Sequence, residues 1–350
     1  MGLVQRIRFC LREEISCSLM HRRCYSSKID WKKLRPMILE RIKNRAGCYP
    51  LKSMIPVAND VLKAREILVE GVSALLNVVP VKACKCCPEV YIGKVGHKIK
   101  TCYGFKRIIK DREHRWVNGT LSDILVPVEA FHLQTMFQST IKHEQRFDFD
   151  RVPAVIELCS QAGADIPETL YNQHSVPNGI QDLNRQLEPE AQLQLAGQRL
   201  HGYDDGYDEQ VALVGQRTLE AWERVRLGVQ KLLLVYAAKV CEHCSEVHIG
   251  PSGHKARFCG VFKHEGWRGS HWWKKAGVDD LVHPKVVWHR RPQDPPVLED
   301  GGREFYGHAP AVVELCMQAG ARVPKKYFTM MKLQGLAPTA GHRQEANRVP

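Results

Sequence analysis

Residues 84–102 read CKCCPEVYIGKVGHKIKTC, and residues 241–259 read CEHCSEVHIGPSGHKARFC. Each stretch opens with a Cys-x-x-Cys pair, Cys84 and Cys87 in the first and Cys241 and Cys244 in the second. Each continues to a histidine, His97 or His254, and closes on Cys102 or Cys259. All four positions recur 157 residues further on without a gap. Three thiolates and an imidazole make a complete tetrahedral set for zinc, and the Cys-x-x-Cys pair closes a tight knuckle around it. The spacing therefore predicts two zinc ions, one per quartet. A four-iron cluster on the same thiolate-rich ligands is the alternative.

The repeat extends well beyond the ligands. At the same offset Gly71 matches Gly228, Trp116 matches Trp273 and Asp123 matches Asp280. The segment from Pro153 to Ala164 (PAVIELCSQAGA) matches Pro310 to Ala321 (PAVVELCMQAGA). Each unit is domain-sized, so the fold class expected is α+β with two homologous zinc-pinned domains. The predicted boundaries are 58–171 for the first and 211–334 for the second. A basic segment, 26–57, precedes them, and a flexible tail, 335–350, follows. Between them 172–210 is rich in Gln, Glu and Asp, lacks an apolar pattern, and reads as a linker.

Within each unit the order is helix, zinc hairpin, short strands and closing helix. Apolar residues at helical spacing mark helices over 58–79 and 211–238, and a basic amphipathic helix over 29–48. Val90-Tyr91-Ile92 and Val247-His248-Ile249 are short β-like runs ended by glycine. Further strands are expected within 126–133 and 282–289. Pro153 and Pro310 suit the first position of a closing helix, and Gly163 and Gly320 suit its left-handed stop.

With 350 residues and 44% hydrophobic content the chain can bury two cores, and no apolar run is long enough for a membrane span. Fifty-one Lys and Arg against 38 acids give +13, which favours an anionic partner, nucleic acid first. Eight of the 13 cysteines pair at the repeat offset, which points to metal-bound thiolates in a reducing compartment. Residues 1–25 carry five arginines with Ile7, Leu11 and Ile15 at helical spacing, as a mitochondrial presequence would, although Glu13 and Glu14 depart from that composition. A chloroplast address is the alternative.

Cations and aromatics crowd around each quartet. Lys98, Lys100, Lys106, Arg107, Arg115 and Trp116 stand in the first copy, and Lys255, Arg257, Lys263 and Trp273 in the second. Phosphate-binding cations beside rings that can stack on unpaired bases suit single-stranded or structured RNA. His114/His271 and His132/His289 also repeat, so the sequence admits a different fourth ligand, or a hydrolytic histidine in a zinc-pinned nuclease. Cys159 and Cys316 lie on the apolar side of the closing helix and read as core. No complete catalytic constellation recurs in both copies, so a binding protein is expected and not an enzyme.

With the duplicated quartets and the two PAV-ELC-QAGA tails, the chain resembles the plant APO family, named for accumulation of photosystem one. The resemblance covers nearly all of residues 30–330. It implies an organellar protein with two zinc-binding repeats that binds RNA, assists splicing of group II introns and can meet other splicing factors. It also implies, from an older link in that family, a role in four-iron cluster accumulation. Carried onto this sequence, zinc would sit on the two quartets and RNA on the adjoining basic and aromatic surface.

Overall fold

The computed structural model describes residues 36–37, 40, 47–104, 112–167, 205–257, 259 and 269–333. The presequence, most of the 29–48 helix, nearly all of the linker and the 335–350 tail lie outside the described residues, as do Lys106, Arg107 and Lys263. The described residues from 50 onward form one compact unit that contains both repeats.

The first repeat begins with helix α1 (Ile55–Leu76), which carries Pro56 in its first turn, where the missing N–H costs nothing. Its buried stripe, Ala58, Val61, Ala64, Leu68, Val72 and Leu75, follows the helical period. Then come β1 (Val81–Cys84), β2 (Val90–Ile92), β3 (Trp116–Asn118), a short helix α2 (Leu121–Ile124), β4 (Glu129–Phe131), β5 (Arg151–Pro153) and the closing helix α3 (Ala154–Gln161). The second repeat runs in the same order: α4 (Asp205–Leu233), β6 (Ala238–Cys241), β7 (Val247–Ile249), β8 (Trp273–Lys275), α5 (Val278–Leu281), β9 (Val286–His289), β10 (Gly307–Pro310) and α6 (Ala311–Gln318). The α+β class and the two homologous domains are thus as the repeat predicts. Helix α4 starts at Asp205, inside the stretch read as linker. The acids that gave that stretch a linker-like composition are residues that favour a helix N-terminus.

Each repeat builds one three-stranded antiparallel sheet, β2-β1-β3 or β7-β6-β8, and one two-stranded ribbon, β4-β5 or β9-β10. The closing helices follow their strands without a loop. Pro153 pairs with Glu129 as the last residue of β5, and its ψ of 130° is extended. It therefore stands at the N-cap of α3, not at the first helical position. Gly163 and Gly320 adopt φ of +83° and +93°, the left-handed stop that the sequence predicts.

The packing of the repeats is reciprocal. Val90, Tyr91 and Ile92 of β2 are all buried, so this strand must be covered on both faces. The cover comes from the other repeat: β2 packs on β9 and α6, and β7 packs on β4 and α3. Gln318 of α6 donates from Nε2 to the Ile92 carbonyl at 3.1 Å. The Lys98 N–H donates to the Leu298 carbonyl at 2.8 Å, and the Lys255 N–H to the Ile141 carbonyl at 2.7 Å, the same contact seen from each copy. Helices α1 and α4 pack along their length, with Gly71 against Thr218 and Gly228 against Val61. Positions 71 and 228, and 61 and 218, are repeat mates, so the helices run antiparallel about a local two-fold axis.

Candidate metal centre

Strand pairing assembles each site. Cys84 ends β1 and stands opposite Trp116 of β3, and the Lys85 N–H donates to the Arg115 carbonyl at 2.9 Å. This registry fixes the segment that carries His114 beside the Cys84–Cys87 knuckle. The Cys102 N–H donates to the Arg112 carbonyl at 3.0 Å, which brings the third thiol in. In the second copy Cys241 faces Trp273, and the Cys259 N–H donates to the Gly269 carbonyl at 3.0 Å.

Two Cys3His groups result. Cys84, Cys87, Cys102 and His114 bring their ligand atoms within 4.8 Å of one another, and so do Cys241, Cys244, Cys259 and His271. The sulfurs of Cys84 and Cys102 are 4.0 Å apart. Cys87 Sγ lies 3.4 Å from His114 Nδ1, and Cys244 Sγ 3.3 Å from His271 Nδ1. A tetrahedral zinc with Zn–S near 2.3 Å and Zn–N near 2.0–2.1 Å would space its ligand atoms roughly 3.8 Å sulfur to sulfur and 3.6 Å sulfur to nitrogen. The donor set fits a single ion. A cubane cluster binds each ligand to a different iron and needs its ligand atoms set further apart than this compact group.

The histidine in each group is not the one that the motif spacing singles out. His97 has both ring nitrogens engaged: Nδ1 accepts from the Ile99 N–H at 3.1 Å, and Nε2 meets Glu89 Oε1 at 2.8 Å. With one nitrogen accepting and the other donating, it has no lone pair left for a metal. His254 also accepts from the Ala256 N–H at 3.2 Å, but its Nε2, 3.5 Å from Glu246, makes no hydrogen bond among the described residues. Both imidazoles are fully buried walls behind the site. The signal for His114 and His271 was in the sequence, since both recur at the repeat offset two residues before a tryptophan. What it lacked was any mark that ranks them above His97 and His254.

Around the first site a second layer is complete. His114 Nε2 lies 2.9 Å from Thr101 Oγ1 and 3.3 Å from Glu89 Oε2, an orientation that leaves Nδ1 for the metal. Burial works to raise the Glu89 carboxyl, but hydrogen bonds from His97, Thr101 and Trp288 outweigh it and hold the group at about 2. Trp288 belongs to the other repeat and donates from Nε1 to Glu89 Oε1 at 2.8 Å. At the second site Arg151 of the first repeat donates to Glu246, which is also held at about 2 against burial by His254 and Arg151. Each metal centre is braced by the opposite copy.

The thiols are prepared unequally. Burial opposes ionisation of Cys84, yet N–H donors in the knuckle and His114 bring it down to about 6. Cys87 is pushed up to about 12 by burial and by the neighbouring thiols Cys84 and Cys102. Cys241 is lowered and Cys244 pushed up to about 12 in the same way. Crowded sulfurs that resist joint ionisation are what a bound dication would relieve. Cys159 and Cys316, by contrast, are fully buried in the closing helices, and burial pushes both up to about 12. They are core residues.

The other predicted residues divide clearly. Lys98, Lys100, Arg115, Lys255 and Arg257 have exposed side chains. Trp116 and Trp273 are half-buried: their indoles lie 4.8 Å from the rings of His97 and His254, and their N–H groups donate to those residues' carbonyls. They cap the site, with part of each ring left to solvent. His132 and His289 each meet a buried glutamate of the closing helix, Glu157 or Glu314, at 2.7 Å, so they tie helix to ribbon. The importance of those glutamates was not apparent from the sequence, because a charge on an apolar helix face gives no sign of its partner.

A sequence model of the APO RNA-binding family matches residues 22–188 and 197–334, one span over each repeat. The chain belongs to the APO RNA-binding family. Among its APO relatives, APO protein 1, chloroplastic, of Arabidopsis thaliana is 40% identical over 315 residues, covering 85% of this chain and 71% of the relative. APO protein 2, chloroplastic, is 38% identical over 303 residues, covering 83% and 69%. APO protein 3, mitochondrial, is 36% identical over 301 residues, covering 81% and 74%. No solved structure matches the chain. Among the described residues of this APO protein no helix is long and apolar enough to cross a membrane.

Proposed function

We propose that this protein is an organellar RNA-binding factor that holds two zinc ions and promotes splicing of group II introns without catalysing a reaction itself. The observation that carries this reading is the pair of compact Cys3His groups in a chain of an RNA-binding family. Zinc on Cys84, Cys87, Cys102 and His114, and on Cys241, Cys244, Cys259 and His271, would lock each three-stranded sheet and, with it, the loops that carry the exposed cations. Because both repeats share one compact unit, the two centres would support one continuous RNA surface, not two tethered ones. Lys98, Lys100, Arg115, Lys255 and Arg257 are the cations offered to phosphates, with Lys106, Arg107 and Lys263 carried by the neighbouring segments. A mitochondrial address follows from the arginine-rich first 25 residues. The relatives' names support an organelle in general, since they include both chloroplastic and mitochondrial proteins.

The test pairs metal analysis with RNA capture. Purified protein should contain two zincs per chain. It should bind intron-containing organellar transcripts with an affinity that falls steeply with salt, and should lose that binding on chelation. Iron and acid-labile sulfide in the protein would overturn the zinc assignment. Equal retention of RNA after complete chelation would overturn the link between metal and binding.

A further inference from the structure

The local two-fold axis creates two junctions that identical copies would make alike. At the first, the segment 141–151 of repeat one lies on the loop 254–257 of repeat two. Lys142 bridges to Lys255, and the Arg257 N–H donates to His143 Nδ1 at 3.0 Å. At the second, residues 298–308 lie on 97–100. Lys98 bridges to Glu299, and the Lys100 N–H donates to Asp300 Oδ1 at 3.0 Å. The backbone contacts match, but the chemistry does not. Residues 142–151 with Glu246, Lys255 and Arg257 sum to +1, whereas residues 299–308 with Glu89, Lys98 and Lys100 sum to −1.

The aromatic residues differ in the same sense. The first junction holds a cavity of about 390 Å³ lined by Phe131, Arg146, Phe147, Phe149, Arg151 and Glu246, within the range of roughly 300–1,000 Å³ usual for small-ligand pockets. Phe147 is 80% exposed, with the Arg146 guanidinium 3.9 Å from its ring centroid. A large apolar ring left mostly in water buries little area for the fold, and the guanidinium beside it makes a cation–π contact that holds the ring in place. Phe131 is buried with Leu133 and Ile141, as its mate Trp288 is with Tyr91, Ile99 and Leu298; Phe149 is partly buried where its mate Tyr306 is buried, and Phe305 of the second junction is 40% exposed against 80% for Phe147. The mate of Phe147 is Glu304.

We propose that the first junction alone seats an unstacked base of a bound RNA strand. The base would stack on the open face of Phe147, with the flanking phosphates held by Arg146, Lys142 and Lys255. At the second junction Glu304 stands in the place of Phe147, so a carboxylate is presented where the first junction offers a ring. Single-stranded recognition requires this combination of a ring for any base's π-face and cations that follow the backbone. The inference rests on the reading that the protein binds RNA, and it adds a polarity to the pseudo-symmetric molecule.

The test uses the full zinc-loaded chain and a labelled single-stranded RNA from a transcript that co-purifies with it. Phe147→Ala should raise Kd by about 5- to 150-fold, the stacking worth of one base, and Phe147→Trp should restore binding. Lys142→Glu with Lys255→Glu should weaken binding at least tenfold more than the charge-matched pair Lys98→Glu with Lys100→Glu. Circular dichroism and zinc content would confirm that each variant is folded. Wild-type binding with Phe147→Ala within twofold of it, or equal losses from the two charge pairs, would overturn the junction while leaving RNA binding intact. Failure of the wild-type chain to bind any such RNA would overturn the functional reading and the junction with it.

Discussion

Replacing His114 and His97 one at a time separates a ligand from the wall behind it. Structural zinc contributes roughly 10–16 kcal/mol through four ligands, so removing one by His114→Ala should cost on the order of 3 kcal/mol, a hundredfold or more in affinity. His97→Asn keeps an acceptor near the Ile99 N–H but loses the 2.8 Å contact to Glu89. Loss of such an outer partner typically lowers metal affinity 10–100-fold. Because the two losses approach each other, cobalt substitution decides between them. In His114→Ala a water replaces nitrogen and the ligand-field bands of the first site should change, whereas His97→Asn should weaken binding with the bands unmoved. Bands altered by His97→Asn and preserved in His114→Ala would refute the assignment of the fourth ligand.

Metal release should occur in two phases. His114 Nε2 has Thr101 and Glu89 beside it, while the buried His271 Nε2 has no side-chain hydrogen-bond partner among the described residues. With no side-chain partner to orient His271, timed chelator competition should empty the second site first, with affinities about 10–100-fold apart. Crossing of the long helices requires Gly228, since a Cβ there would lie 2.2 Å from Val61 Cγ2. Gly228→Leu should destabilise by about 1–3 kcal/mol, visible as a lower urea midpoint. His132 is raised above its ordinary value, first by its hydrogen bond to Glu157, against the opposing effect of burial. A raised histidine contributes stability that is full below its unfolded pKa, about 6.5, and lost as pH rises through the folded value. Urea midpoints should fall on that rise in the wild type, and the fall should be smaller in Glu157→Gln.

Much of the local structure was legible in the chain. The stripe from Ala58 to Leu75 marked its helix because burial on one face imposes the helical period, and Val90-Tyr91-Ile92 marked its strand through β-branched and aromatic residues. The thiol ligands were legible because a Cys-x-x-Cys knuckle is a local geometry that spacing encodes. The histidine was not, because His97 and His114 repeat equally well. Only the pairing of Cys84 with Trp116, and the capture of both His97 nitrogens, decides which ring reaches the sulfurs. That Trp116 and Trp273 each pack on a buried histidine was not legible either, because a ring's partner is invisible until the loops close.

The sequence by itself determined that the protein is a duplication, that each copy carries a Cys- and His-rich set able to hold a metal ion, and that its charge suits an anionic partner. These are properties of residue type and spacing, which a chain holds before it folds. Tertiary structure alone decided that each copy is completed by the other. A strand like β2, with every residue buried, states that it needs cover on two faces but not whose cover. Glu89 and Trp288, or Arg151 and Glu246, meet only because packing two short sheets on a shared helical pair buries more apolar surface than either copy can enclose alone.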